Sequence, residues 1–202
     1  MSINVCNNNS LSAITSLPSG VGGGSLNLIS TQTASSSSTI SFTSGIDSTY
    51  KEYIFKFIDI HPGTENSTML QFQGSTNGGS SYGINITSTS FRALHTEADD
   101  STSLAYSSST DLAQSTNYQY LTGNMGTDND QADVGTLHLF DPSSTTFVKH
   151  FIANFNNCGE SNISLNTFNA GYFNTTSAIN AIQFKMSTGN IDAGTIKLYG
   201  VS

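Results

Sequence analysis

Short runs of apolar, aromatic and β-branched residues recur through this chain, separated by turn residues at intervals of about 8–14 residues. In the run 179–186, Ile182, Phe184 and Met186 fall on one side of a strand. Gln183 and Lys185 fall on the other side. This period of two is typical of strands, and no segment keeps a helical period for three turns. The pattern predicts an all-β protein, an antiparallel β-sandwich that is jelly-roll-like, because no helices are available to connect parallel strands.

The polar background of Ser, Thr, Asn and Gly resembles that of a disordered chain, since only 10% of the residues are charged and there is no Trp. The 12 Phe and 8 Tyr argue instead for a packed core. A length of 202 residues is enough for one sandwich with a full core. We therefore expect a single β-sandwich domain over residues 25–202, preceded by an extended N-terminal arm over residues 1–24.

Some strands are predicted in more detail. The run Tyr50 to Ile60 is apolar on both faces, which indicates a central strand. The run Met69 to Gln73 is followed by the turn residues Asn77 to Gly79, which predicts a β-hairpin with the next strand. A further strand, 147–155, is expected to bury one face that carries Phe147, Phe151 and Phe155.

The segment 1–24 differs from the rest of the chain. It spaces four aliphatic residues around Pro18 and ends in the glycine run 22–24. Two interpretations stay open, a frayed terminus or an arm that docks on a neighbouring subunit. In the second interpretation the assembly contacts are Leu11, Ile14, Leu17 and Val21.

Charge and hydropathy narrow the set of partners. The 14 acidic residues exceed the 6 basic ones, for a net charge of −8, so a nucleic-acid partner is not expected. No stretch approaches the roughly 20 apolar residues of a membrane span, so no membrane partner is expected either. The N-terminus lacks the basic start and apolar run of a signal peptide, which predicts synthesis in a cytoplasm.

Catalytic signatures are absent from the sequence, so we expect a protein that is not an enzyme and has no cofactor. The four histidines, His61, His95, His138 and His150, lack metal-ligand spacing. His138 and His150 fall in neighbouring predicted strands and are candidates for cross-strand partners. Acids at Asp128, Asp130 and Asp133 alternate as calcium ligands can, and whether they bind calcium stays open. Cys6 and Cys158 are expected to be two free thiols, with one long-range bridge as the alternative.

Four phrases of the sequence resemble a family of small virion proteins encoded by tailed bacteriophages of aquatic and cyanobacterial hosts. They are LISTQTASSSSTISFTSGIDSTYKEYIFKF (28–57), SFRALHTEAD (90–99), GTLHLFDPSSTTFVKHF (135–151) and INAIQFKMSTGNIDAGTIKLYG (179–200). The resemblance covers about residues 25–202. It implies a non-enzymatic structural protein and brings no catalytic residues with it.

Two placements in the virion follow from the resemblance. The first is a capsid decoration (cement) protein on the outer capsid surface, homo-oligomeric and often a trimer, whose partner is the major capsid protein. The second is a tail-fibre or tail-tip component that binds a host-surface glycan through the loops 74–82 and 122–133. The absence of repeats or a rod segment favours the first. A carbohydrate-active enzyme would need a carboxylate pair that the sequence alone does not reveal.

Overall fold

The computed structural model describes residues 25–63 and 68–202, and within them it contains twelve β-strands and no helix. The strands are β1 (Leu26–Thr33), β2 (Ile40–Phe42), β3 (Glu52–Pro62), β4 (Leu70–Ser75), β5 (Ile86–Thr96), β6 (Thr102–Tyr106), β7 (Gln119–Tyr120), β8 (Asp133–Phe140), β9 (Lys149–Gly159), β10 (Ile163–Phe173), β11 (Ala181–Met186) and β12 (Ile191–Val201). All the pairings between them are antiparallel. The prediction of an all-β antiparallel sandwich is confirmed.

The strands form two sheets of unequal size. The large sheet has eight strands in the order β1-β12-β3-β8-β9-β10-β5-β6, and the small sheet has four in the order β2-β11-β4-β7. When the pairs β5–β6 and β9–β10 are set aside, the remaining strands follow jelly-roll order, with β1, β12, β3 and β8 in one sheet and β2, β11, β4 and β7 in the other. The two pairs are therefore insertions, and they lie side by side to extend one edge of the large sheet.

Aromatic side chains join the two sheets. Phe184 of β11 has its ring centroid 5.2 Å from that of Phe55 and 5.0 Å from that of Phe57, both on β3. It also contacts Phe42 of β2 at 6.2 Å and Phe72 of β4 at 6.3 Å. All five rings are buried. The predicted inward alternation of 182, 184 and 186 is thus confirmed.

The small sheet is too narrow to cover the inserted strands. The inner side of β5 is covered instead by the segment 107–119 through buried hydrogen bonds. Ser88 donates to Gln119 (2.5 Å between Oγ and Oε1), and Thr110 donates to Ser90 (2.8 Å between the hydroxyl oxygens). Hydroxyl and amide groups therefore replace apolar packing at this end of the molecule.

Two of the detailed strand predictions were wrong and one was right. The run Tyr50 to Ile60 forms most of β3, which lies inside the large sheet between β12 and β8, as predicted. The turn at Asn77 to Gly79 exists, with φ of 69° at Gly78 and 88° at Gly79, but it does not close a hairpin. Strand β4 pairs with β11 and β7, while β5 lies between β10 and β6 in the large sheet, so the chain crosses from one sheet to the other after this turn.

Phe147 was also wrongly placed. It is 69% exposed, whereas Phe151 and Phe155 are buried. Strand β9 begins only at Lys149, so the alternation does not extend back to residue 147. The predicted arm over residues 1–24, with Leu11, Ile14, Leu17 and Val21, lies outside the described residues.

Phe184→Ala tests the importance of the junction between the sheets. We expect a loss of about 3–5 kcal/mol in the free energy of unfolding, because the truncation leaves a cavity among four other rings. Phe147→Ala is the matched control, and its exposed ring should contribute no more than about 0.5 kcal/mol. Denaturant unfolding of both variants measures the difference; equal losses would contradict the assigned packing.

Candidate functional site

The outer face of the large sheet carries exposed apolar side chains. We call the outward-pointing side chains of this sheet the apolar face. Nine large hydrophobic residues are exposed in the described parts of the chain, and eight of them belong to this face. They are Leu26, Leu28, Ile58, Phe91, Leu104, Tyr106, Val134 and Ile152. These residues are spread over β1, β3, β8, β9, β5 and β6, and exposed apolar surface of this kind makes the face a candidate interaction surface.

Strand pairing places the aromatic members of the apolar face next to one another. Phe91 of β5 lies opposite Tyr106 of β6 on one side and opposite Phe168 of β10 on the other. The rings of Phe91 and Phe168 are stacked, with centroids 4.8 Å apart and planes 10° apart. These side chains form one continuous aromatic row at the inserted end of the sheet.

A depression of about 450 Å³ opens on the apolar face beside this row. Phe140, His150, Ile152 and Tyr172 contribute to its lining, and the small residues 170 and 171 form part of its floor. The rings of His150 and Tyr172 lie 5.8 Å apart between centroids. Such a depression can accept a protruding apolar side chain of a partner.

The polar groups on the inserted half of the apolar face are uncharged. The outward positions of β8, β9, β10, β5 and β6 carry no Asp, Glu, Lys or Arg. Asn154 donates to Asn166 (2.8 Å between Nδ2 and Oδ1), and Asn156 donates to Ser164 (3.1 Å between Nδ2 and Oγ). Because these groups already bond to one another, a partner can cover them without stranding a buried charge.

The candidate cross-strand pair of His138 and His150 does not form. His138 lies opposite Ile152, and its Nδ1 is 2.6 Å from a carboxylate oxygen of Glu52. His150 lies instead beside the Tyr172 ring. In the described segments no group of three or more His, Cys, Asp or Glu side chains is arranged to hold a metal ion.

The three acids of the candidate calcium loop are separated in the structure. Asp128 and Asp130 are exposed, whereas Asp133 points inward from the start of β8 and is 1% exposed. Cys158 is a partly exposed free thiol whose pKa is raised by burial, and Cys6 lies outside the described residues. Among the described residues there is also no long apolar helix of the kind that spans a lipid bilayer.

Asp133 is a buried carboxyl group whose surroundings favour its protonated form. Its Oδ2 has no hydrogen-bond partner, and neither has Oδ1 of Asn157, the residue directly opposite it on β9. Burial raises the pKa of Asp133 from 3.8 to about 8. A proton on Asp133 supplies the donor that two facing acceptor oxygens otherwise lack.

Sequence reasoning missed the apolar face because alternating aromatic residues were assigned to the core. One signal was present. Phe91 follows Ile86 by five residues, an odd separation that places the two side chains on opposite faces of a strand. The structure confirms that Ile86 is buried and Phe91 exposed.

Comparison of the chain with protein-family models, with curated proteins and with solved structures gives no match in any of the three. The geometry of the molecule therefore has to support any functional conclusion.

Asp133→Asn tests the buried carboxyl group. Between pH 3.8 and about 8 the folded protein binds the Asp133 proton more tightly than the unfolded chain does, so stability falls as the pH rises through this window. The Asn variant should lose that decline and be more stable than the parent protein at pH 8. Thermal unfolding from pH 4 to 9 measures it, with the exposed Asp130→Asn as control; an unchanged pH profile in Asp133→Asn would contradict the assignment.

Proposed function

We propose that this protein is a non-enzymatic structural protein of a phage virion, a capsid decoration protein that binds the outer capsid lattice and stabilises it. The observation that carries the proposal is the apolar face. The sequence phrases that resemble phage virion proteins support the same conclusion.

The size of the apolar face suits a stable protein contact. Eight strands at about 4.8 Å spacing span roughly 34 Å, and eight residues along a strand span roughly 27 Å. The product, roughly 900 Å², covers the whole outer side of the sheet, including Glu52, Lys56 and Lys197, and is comparable to the area of about 800 Å² that each partner buries in a standard interface. The proposed occupant is the major capsid protein at the outer surface of the shell.

The proposed stabilisation works by mass action. A protein that binds only the assembled shell adds RT ln(1 + [L]/Kd) per site, about 2.7 to 4.1 kcal/mol at ~100–1,000-fold saturation. Repeated over many sites, this term opposes the internal pressure of the packaged genome.

The segment 1–24 has a proposed role in joining copies of the protein. It leads directly into β1, whose Leu26 and Leu28 are 40% and 57% exposed at the edge of the apolar face. We assign its four aliphatic residues to a contact with a neighbouring copy in a homo-oligomer, with a trimer as the expected state. Burial of apolar surface in this contact contributes about 25 cal/mol per Å² to the free energy of association.

Ile152→Lys and Phe91→Lys test the apolar face. Each places a charge in the proposed contact, and we expect occupancy on shells that lack this protein to fall at least ~10-fold, since an unpaired interfacial charge costs more than 1.4 kcal/mol. The matched control is Phe147→Lys, because Phe147 is more exposed than either test residue (69% against 54% and 44%) but lies outside the strands. Co-sedimentation of folded variants with shells gives the occupancy, and full binding by both test variants would overturn the proposed contact.

Removal of residues 1–24 tests the arm. We expect a smaller oligomer by light scattering and lower capsid occupancy. A full-length variant with Leu11, Ile14, Leu17 and Val21 changed to Ser distinguishes the loss of apolar contacts from the loss of chain length. If the truncated protein keeps both its oligomeric state and its occupancy, the arm has no such role.

Cryo-EM reconstruction of the intact particle tests the placement itself. Copies at three-fold or quasi-three-fold positions over the shell are the expected result. A few copies confined to the tail would overturn the capsid placement and favour a tail component.

A further inference from the structure

The outer face of the small sheet carries a cleft of about 720 Å³, whose lining is more polar than the apolar face of the large sheet. We call it the polar cleft. Its lining includes Gln71, Asp111, Asn117, Tyr118, Tyr120 and Lys185. Its volume lies within the range of about 300–1,000 Å³ that is usual for small-molecule sites.

Three of these side chains form a row across neighbouring strands. Tyr120 of β7 lies opposite Gln71 of β4, and Gln71 lies opposite Lys185 of β11. At about 4.8 Å between strands, the Cα atoms of the row span roughly 10 Å. An aromatic ring, an amide and a cation are thus presented in a line along the floor of the polar cleft.

The wall beside this row is held in place by its own hydrogen bonds. The Tyr118 hydroxyl donates to Gln183 (2.5 Å to Oε1), whose amide donates to Ser41 (2.9 Å to Oγ). Nε2 of the buried Gln73 donates to the backbone carbonyls of residues 116 and 117 at 3.2 and 3.0 Å. The segment 116–118 is therefore fixed before any ligand binds, which lowers the entropic cost of binding.

The row and the adjacent Asn117 have hydrogen-bonding groups that are not used within the protein. The Tyr120 hydroxyl and the Asn117 side-chain amide have no hydrogen-bond partner in the described parts of the chain. The Lys185 ammonium lies 4.2 Å from the centroid of the Tyr118 ring but has no hydrogen-bond acceptor there. Gln71 uses one donor, to the carbonyl of Met186 at 3.2 Å. Groups of this kind favour a ligand rich in hydroxyls.

The charge of the polar cleft is balanced. Among the described residues that line it, Lys185 and Asp111 are the charged ones, and they have opposite signs. Asp111 already accepts a hydrogen bond from the Tyr106 hydroxyl (2.5 Å to Oδ2). The protein as a whole carries a net charge of −8, which disfavours an anionic ligand.

We propose that the polar cleft binds a neutral oligosaccharide. The Tyr120 ring packs against the C–H side of a sugar ring, while Gln71, Asn117 and Lys185 hydrogen-bond to the hydroxyl groups of the sugar. A tyrosine suits this role because it combines a flat apolar surface with a polar tip.

This inference does not rest on the proposed capsid contact. The polar cleft and the apolar face lie on the outer sides of different sheets, and the variants tested below leave in place the Tyr106–Asp111 hydrogen bond that joins them. If the protein does decorate a shell through its apolar face, the polar cleft faces away from the shell.

The experiment is titration of the full-length protein with neutral di- and trisaccharides of the gluco, galacto, manno and N-acetylglucosamine types, followed by saturation-transfer NMR and calorimetry. 3′-Sialyllactose serves as the acidic comparison. We expect at least one neutral saccharide to bind, and Tyr120→Ala to weaken it at least ~10-fold through the loss of the stacking surface. Lys185→Met, which keeps most of the side-chain stem, should weaken it as well.

Tyr172→Ala is the matched control, because Tyr172 lies on the apolar face and its loss should leave saccharide affinity unchanged. The melting temperature of each variant shows whether the fold is retained. No binding by any neutral saccharide would overturn the proposal. So would tighter binding of 3′-sialyllactose, or affinity that survives in both Tyr120→Ala and Lys185→Met.

Discussion

The packing of Phe184 among the rings of both sheets is the contact on which the rest of the architecture depends. It joins β11 of the small sheet to β3 of the large sheet, and it fixes which side of each sheet is the inner one. Four strands cannot cover eight, so the inserted strands need another cover on their inner side. The segment 107–119 provides it with hydrogen-bonded hydroxyls and amides, which explains how a chain with a modest apolar content still closes its interior.

The two outer faces then differ in chemistry, although the chain is poor in charged residues. The large sheet presents aromatic and aliphatic side chains with self-paired amides between them, and the small sheet presents a hydrogen-bonding cleft around Tyr120 and Lys185. A surface of the first kind suits permanent burial against protein. A surface of the second kind suits reversible contact with a hydrated ligand. The two proposed contacts therefore use different chemistries on opposite sides of the molecule.

Much of the fold could be predicted from the sequence, because a period of two reports directly which side chains share a face. The inward side of β11 and the internal position of β3 were correct for this reason. The same period does not report which strand is the neighbour, so the turn at Asn77 to Gly79 was wrongly assigned to a hairpin. It also does not report which face is covered. Phe91 and Asp133 show this, since the aromatic ring is exposed and the carboxyl group is buried.

The position of β12 between β1 and β3 has a consequence for the timing of folding. At about 5–20 residues per second, the roughly 130 residues between Pro62 and Ile191 take about 7–26 s to synthesise. Throughout that time β3, an internal strand of the large sheet, lacks at least one of its two neighbours, and β1 lacks the strand with which it pairs. The large sheet is therefore completed only after β12 has been synthesised. A nascent chain that stops short of β12 exposes two open strand edges, which makes it prone to aggregate.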